Sequence, residues 1–64
     1  MIITNLVSDD GKVNVWVTQE SSSEFAVYSE HTAFHAAAGA PTRYKNPAAA
    51  NQAAQKTFER MMAW

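Results

Sequence analysis

The sequence predicts a small α+β domain, in which an antiparallel three-stranded β-meander is followed by a short helix and a longer C-terminal helix packed on the sheet. Two observations support this class. Residues 1 to 29 are rich in β-branched and aromatic residues separated by polar turns, which is typical of strands. Eleven of the twelve alanines lie at or beyond Ala33, and alanine is the best helix former.

The first hairpin has the clearest local pattern. Ile2–Val7 is rich in β-forming residues, and Val13–Thr18 alternates apolar and polar residues except at Trp16. The acidic turn between them, residues 8 to 12, contains Gly11, which can take the positive φ of a type I turn with a glycine bulge. These signals predict two strands joined by a tight connection.

The length of that turn sets the strand register. A three-residue loop, residues 9 to 11, places Val7 opposite Val13, and this is the register that we expect. In this register, one face of the hairpin is apolar except for Asn5. Its apolar residues are Ile3, Val7, Val13, Val15 and Val17. A two-residue loop would shift the pairing by one residue and regroup the first strand. In the expected register, Trp16 lies on the opposite face.

A third strand is expected over Glu24–Ser29, after the polar loop of residues 20 to 23. That loop contains no glycine to fix its geometry. The sequence therefore leaves open whether Phe25 and Val27, or instead Tyr28, join the valine face.

Two helices are expected in the second half. Ser29 can cap a short helix over Glu30–Ala38, which Gly39 would close. Residues 42 to 45 form either a connector or a short edge strand. Asn46-Pro47 is a helix start, and the longer helix runs from Pro47 to about Met62. Its apolar stripe, which we expect to pack on the valine face, consists of Ala50, Ala54, Phe58 and Met61.

The size of the chain restricts how it can be stabilised. Its 64 residues make one domain near the lower limit for independent folding, and the absence of cysteine excludes disulfides. Self-association or docking on a partner is therefore the default expectation, and a homodimer is one form of it. No apolar run approaches the roughly 20 residues of a membrane helix, and the N-terminus lacks a signal-peptide pattern. We expect a cytoplasmic protein with no membrane association.

Charge is divided along the sequence. Residues 1 to 30 contain five acidic residues and one lysine, a net charge of −4, whereas residues 31 to 64 contain four basic residues and one glutamate, a net charge of +3. We expect acidic hairpins with aromatic anchors to bind a protein surface, and the candidates are Asp9, Asp10, Trp16, Glu20, Glu24 and Tyr28. One alternative is a nucleic-acid-binding module that uses Arg43, Tyr44, Lys45, Lys56 and Arg60. Another is a homodimeric structural protein with no separate partner.

Catalytic and metal-binding patterns are weak. The sequence contains no glycine-rich phosphate loop and no nucleophile elbow. His31 and His35 would share a face of the expected short helix, but two imidazoles are too few ligands for a zinc site. We therefore expect no enzymatic activity, no cofactor and no metal.

Two stretches resemble known families. Residues 16 to 28, with Trp16, Phe25 and Val27, resemble part of the bacteriophage T7 inhibitor of bacterial RNA polymerase, one of the small phage-encoded host-takeover proteins. Anti-CRISPR proteins share the same small, cysteine-free, acidic character. This resemblance implies an inhibitor of a larger bacterial machine, and it transfers no individual functional residue.

The second resemblance covers Tyr44–Ala54. This segment is similar to the strand exit and alanine-rich helix of the three-strand-plus-helix DNA-binding domains of phage integrase arms and of a class of plant transcription factors. Those domains read DNA with basic and aromatic residues of the sheet. Here the hairpins carry Lys12 as their one basic residue. The expected function is therefore protein binding, to a larger protein or complex that handles nucleic acid or defence, with nucleic-acid binding second.

Overall fold

The computed structural model describes residues 1–32 and 41–63. In these ranges the chain forms a four-stranded antiparallel sheet, in the order β1-β2-β3-β4, and one C-terminal helix. The elements are β1 (Ile2–Val7), β2 (Val13–Ser21), β3 (Glu24–His31), β4 (Thr42–Tyr44) and α1 (Pro47–Met62). The α+β class is confirmed, but the expectation of three strands is wrong, because β4 adds a fourth on the outer side of β3.

The expected start of the short helix is also wrong. Ser29, Glu30 and His31 continue β3, and they pair with the beginning of β2. The ladder extends one step further, since the Thr32 N–H donates to the Lys12 carbonyl at 2.9 Å. The neighbouring strand supplies hydrogen-bond partners that outweigh the local helix signal. Residues 33 to 38, the remainder of the expected helix, and Gly39 lie outside the described residues.

The first hairpin has the expected strands but a different register. Gly11 takes a φ of 74°, as the turn pattern predicts. The Ser8 N–H donates to the Val13 carbonyl at 2.9 Å, so the loop between them has four residues rather than three. Val7 consequently pairs with Asn14 instead of Val13.

Side chains of the turn explain this register. The Ser8 hydroxyl donates to Asp10 Oδ1 at 2.6 Å and accepts the Val13 N–H at 3.0 Å. The Lys12 N–H also donates to Asp10 Oδ1, at 3.0 Å. These bonds satisfy the backbone of a wider loop, and they bury Ser8 at the end of the sheet.

The one-residue difference regroups the side chains of β1. Leu6 pairs with Val15 and packs against the core, whereas Val7 is on the other side of the sheet and is 51% exposed. Asn5 leaves the apolar face for the same reason. A bulge between Ile2 and Thr4 returns Ile3 to the core side.

The core lies between the sheet and α1. Phe25 and Val27, not Tyr28, join the three valines of β2, which resolves the alternative left open by the sequence. From α1, Ala50, Ala54 and Met61 are buried and Phe58 is partly buried, as the apolar stripe predicts. Alanine side chains let the helix approach the sheet closely. The helix starts as expected, because Asn46 Oδ1 accepts the Ala49 N–H at 2.8 Å.

Candidate functional site

The sheet has a second face, which we call the open face, on the side opposite α1. Side chains alternate along each strand, so the residues between those of the core belong to it. Within residues 1–32 and 41–63, α1 is the one regular element outside the sheet, and it packs on the core side. The open face consists of Asn5, Val7, Asn14, Trp16, Thr18, Ala26, Tyr28, Glu30 and Arg43.

Two aromatic rings stack at the centre of the open face. Trp16 and Tyr28 are paired across β2 and β3, and their rings are nearly parallel, with centroids 5.3 Å apart and an interplanar angle of 6°. Both side chains are half-buried. Such a pair contributes roughly 0.5–1.5 kcal/mol beyond the area that it buries. The contact therefore favours one relative orientation of the two rings.

A charged network borders the stack at one end. Arg43 Nη1 lies 3.2 Å from Glu24 Oε1 and 3.5 Å from Glu20 Oε1. The Tyr28 hydroxyl donates to the same Glu20 oxygen at 3.4 Å. The Arg43 side chain is 52% exposed, so each ion pair stabilises the fold by at most about 1 kcal/mol. Its main effect is to hold these polar groups beside the rings.

The other end of the open face is polar but less charged. The Asn5 side-chain amide donates to Asn14 Oδ1 at 3.0 Å. Asn14 pairs with Glu30 on β3 and with Val7 on β1. The aromatic stack is thus flanked by amides and a carboxylate here, and by the arginine network at the opposite end.

The structure separates the acidic residues that the sequence singled out. Asp9 and Asp10 lie in the turn before β2, and Glu20 and Glu24 lie around the turn after it. A nine-residue strand is about 30 Å long, so the two hairpins do not form one acidic patch. Trp16 and Tyr28 lie between them.

Asp10 has a local structural role as well. The hydrogen bond from the Ser8 hydroxyl, and then that from the Lys12 N–H, hold the pKa of Asp10 below its ordinary value of 3.8. Both bonds favour the carboxylate form. Asp10 therefore organises the turn, and Asp9 presents a more independent charge.

The basic residues of the alternative hypothesis are also divided. Arg43 is on the open face and contacts two glutamates, whereas the Tyr44 side chain packs against the core on the other side of the sheet. Lys56 and Arg60 are exposed on α1. A shallow cleft of about 360 Å³ is formed at the β4 edge by Ser21, Ser23, Glu24, Arg43, Tyr44 and Lys45. Arg43 and Tyr44 both line this cleft, but Arg43 pairs there with two glutamates, which disfavour a phosphate.

Sequence reasoning missed four contributors to the open face: Asn5, Val7, Glu30 and Arg43. The expected register puts Asn5 and Val7 on the apolar face, and Glu30 is expected in a helix. Arg43 was grouped with the basic second half, although the structure places it among acidic residues. Strand alternation identified the face of Trp16 correctly.

The described residues offer little to a metal ion. His31 is a buried residue of β3, only 6% exposed, and His35 lies outside the described ranges. In the part of the chain that the structure describes, no group of three histidine, cysteine, aspartate or glutamate residues could hold a metal. In the same part, no helix is long and apolar enough to cross a membrane.

Comparison with known proteins adds no relative. No protein-family model matches the chain, and neither curated proteins nor solved structures give a significant match. The open face is therefore characterised by its own geometry and charge.

Proposed function

We propose that this protein is a non-enzymatic protein-binding module, and that its open face binds a basic surface on a larger protein. The observation that carries this proposal is the stack of Trp16 on Tyr28. Large aromatic side chains at the centre of a surface are typical anchors of protein interfaces. The pair is held rigid by its mutual contact and by the Tyr28 hydrogen bond to Glu20, so binding would cost little side-chain entropy.

The distribution of charge supports a basic partner. Five of the six acidic residues belong to the sheet and its two hairpin turns. The described residues of the same strands and turns include two basic residues, Lys12 and Arg43. Lys56 and Arg60 are on the helix instead. This excess of negative charge raises the association rate with a positive surface and disfavours negatively charged partners.

A basic protein surface that binds partners is often one that holds nucleic acid, because lysine and arginine neutralise phosphates there. We therefore propose inhibition by competition: the open face occupies a nucleic-acid-binding surface of a host machine or defence complex. The resemblance of residues 16 to 28 to phage-encoded host-takeover proteins fits this proposal, since that segment forms most of the hairpin that carries both rings.

The test is a tagged pull-down from nuclease-treated bacterial lysate with three matched baits, namely the parent chain, Trp16→Ala and Gln55→Ala. Gln55 is exposed on α1, away from the open face. We expect one dominant protein with the parent and with Gln55→Ala, and at least a tenfold loss with Trp16→Ala, while circular dichroism confirms that all three fold. Equal recovery by all three baits would reject the aromatic stack as the anchor.

Direct binding to nucleic acid is the competing outcome. Labelled single-stranded and double-stranded DNA and RNA would be titrated with the purified protein at low and at physiological salt. Negligible binding at physiological salt is expected, because the sheet and its hairpin turns carry more acidic than basic residues. Tight binding that weakens steeply with salt, and that is lost in a Lys56→Ala, Arg60→Ala double variant, would replace the proposal with a nucleic-acid module.

A further inference from the structure

β1 lies at an edge of the sheet, and it pairs only with β2 among the described strands. Its residues, Ile2–Val7, include no charged residue, no proline and no glycine. Edge strands are usually protected from pairing with other chains by charges, by prolines or by short length. The opposite edge has such protection, since β4 has three residues and carries Arg43. The β1 edge therefore lacks the usual protection against pairing with another strand.

Exposed apolar side chains concentrate at the same edge. The described residues include four exposed large hydrophobic side chains, and three of these are at β1: Met1 is 81% exposed, Ile2 59% and Val7 51%. The fourth, Met62, is 51% exposed at the end of α1. Covering the β1 edge would remove part of this apolar surface, that of Val7 above all, from water, which is favourable.

The hydrogen bonds of the first hairpin show which backbone groups of β1 are available. Ser8 donates its N–H to Val13, so Ser8 directs its backbone groups toward β2. Orientation alternates along an antiparallel strand, so Leu6 does the same. The N–H and C=O groups of Asn5 and Val7 therefore point outward, away from β2.

We propose that a second copy of this chain pairs antiparallel with β1 about a two-fold axis at Leu6. Asn5 then lies opposite Val7 of the partner subunit, and these residues exchange hydrogen bonds at both symmetric positions. The four outward backbone groups of each strand are all used. Leu6 lies opposite Leu6 of the partner subunit, next to the core.

The structure favours this register over its neighbours. Residues paired across antiparallel strands must share a face of the sheet. Asn5 and Val7 are both on the open face, so the register centred on Leu6 satisfies this condition. A register centred on Asn5 would bring Val7 against Ile3, which lies in the bulge on the core side. A register shifted by one residue would pair open-face with core-face side chains.

The composition of β1 favours a second copy as its occupant. Self-pairing places each residue type near its own kind, and like charges across strands are destabilising. β1 carries no side-chain charge, so its self-association involves no such repulsion. The dimer would have one continuous sheet of eight strands, with both helices on one side and both open faces on the other.

The first test is the mass in solution as a function of concentration, by sedimentation velocity and light scattering. Five-residue strand pairing buries less than the roughly 1,200 Å² of tight interfaces, so we expect dissociation in the micromolar range or weaker. The weight-average mass should rise above the monomer mass of 7.0 kDa with concentration. Val7→Lys should weaken dimerisation at least tenfold. Met62→Lys, at a site that is equally exposed, should leave it unchanged.

The second test is cysteine cross-linking, which reports the register. The chain has no cysteine of its own, so introduced thiols are the only ones present. A mixture of Asn5→Cys and Val7→Cys chains should form a disulfide under mild oxidation, since directly opposed residues lie about 5.5 Å apart. Val7→Cys alone should cross-link far more slowly, because two such residues would be about 8 Å apart. Both sites are exposed, so the fold does not depend on them.

A chain that stays monomeric to millimolar concentration overturns the proposal, and so does equal cross-linking of the mixture and of Val7→Cys alone. Neither test needs the macromolecular partner. Failure here would therefore leave the proposed function of the open face in place. Conversely, a dimer with the expected register would remain established even if the pull-down found no dependence on Trp16.

Discussion

Val15→Ala and Val7→Ala form a matched pair that tests the register of the first hairpin. Both remove the same atoms from the same strand pair. Val15 is fully buried between the sheet and α1, whereas Val7 is 51% exposed on the open face. The register expected from the sequence would instead bury both valines on one apolar face. The two variants should therefore differ sharply in their free energy of unfolding.

The magnitude follows from burial. Removing the equivalent of two buried methylene groups at Val15 loses about 1.6 kcal/mol of transfer free energy, and the cavity adds roughly another 1 kcal/mol. Val7→Ala loses less than about 1 kcal/mol, because half of that side chain is already in water. A 64-residue domain has a total stability of roughly 3–10 kcal/mol, so Val15→Ala removes a large share of it.

Thermal unfolding and urea unfolding, both followed by tryptophan fluorescence, would measure both variants at a protein concentration low enough to keep the chain monomeric. We expect the Tm of Val15→Ala to fall by about 10–20 °C and that of Val7→Ala by only a few degrees. A loss at Val7 equal to that at Val15 would refute the register. An unchanged slope of free energy against urea confirms that both variants unfold from the same compact state.

Two further predictions concern single polar groups. Since the folded pKa of Asp10 lies below its ordinary value of 3.8, the stability that its carboxylate contributes is present above about pH 4 and is lost as the pH falls through the folded pKa. Asp10→Asn should therefore flatten the acid limb of a plot of Tm against pH, and an unaltered limb would show that other carboxylates cause it. Thr18 Oγ1 is buried with no hydrogen-bond partner among the described residues, so Thr18→Val should be neutral or stabilising by about 1 kcal/mol in urea unfolding. A clear loss of stability would mean that the hydroxyl has a partner.

The parts of the fold that were predicted correctly depend on short-range signals. Gly11 has the positive φ of its turn, and Asn46-Pro47 starts α1 with the expected cap. The apolar stripe of α1 identifies its buried side, because helical periodicity is set by the helix itself. Each of these features depends on residues close together in the sequence, and successive members of the stripe are no more than four positions apart.

The parts that were missed depend on contacts between distant or competing groups. The register of the first hairpin is set by the side chains of Ser8 and Asp10, which compete with the simple turn rule. β3 extends to His31 because the start of β2 lies beside it, although the local sequence favours a helix. β4 forms because Arg43 and its neighbours pair directly with β3, although residues 32 to 41 separate the two strands in the sequence.

The candidate site shows the same division. Alternation along β2 placed Trp16 on the face opposite the valines, and that inference needs only one strand. The stack on Tyr28 depends on the register between β2 and β3. The polar loop of residues 20 to 23 contains no glycine to fix its geometry, so the sequence does not predict that register. The position of Arg43 beside Glu20 and Glu24 needs a fourth strand, whereas the sequence leaves residues 42 to 45 as either a connector or a short edge strand.

The two proposals together have a consequence for affinity. A dimer formed through β1 would present two aromatic stacks on one side of a continuous sheet, roughly 20 Å apart from the spacing of strands. A partner with two equivalent basic sites at that spacing would be bound through both, and its apparent affinity would exceed that of one site. Val7→Lys should then weaken binding to such a partner by removing the second stack and by adding a positive charge to the open face, while each stack stays intact. Trp16→Ala should weaken binding at every concentration, while the dimer persists.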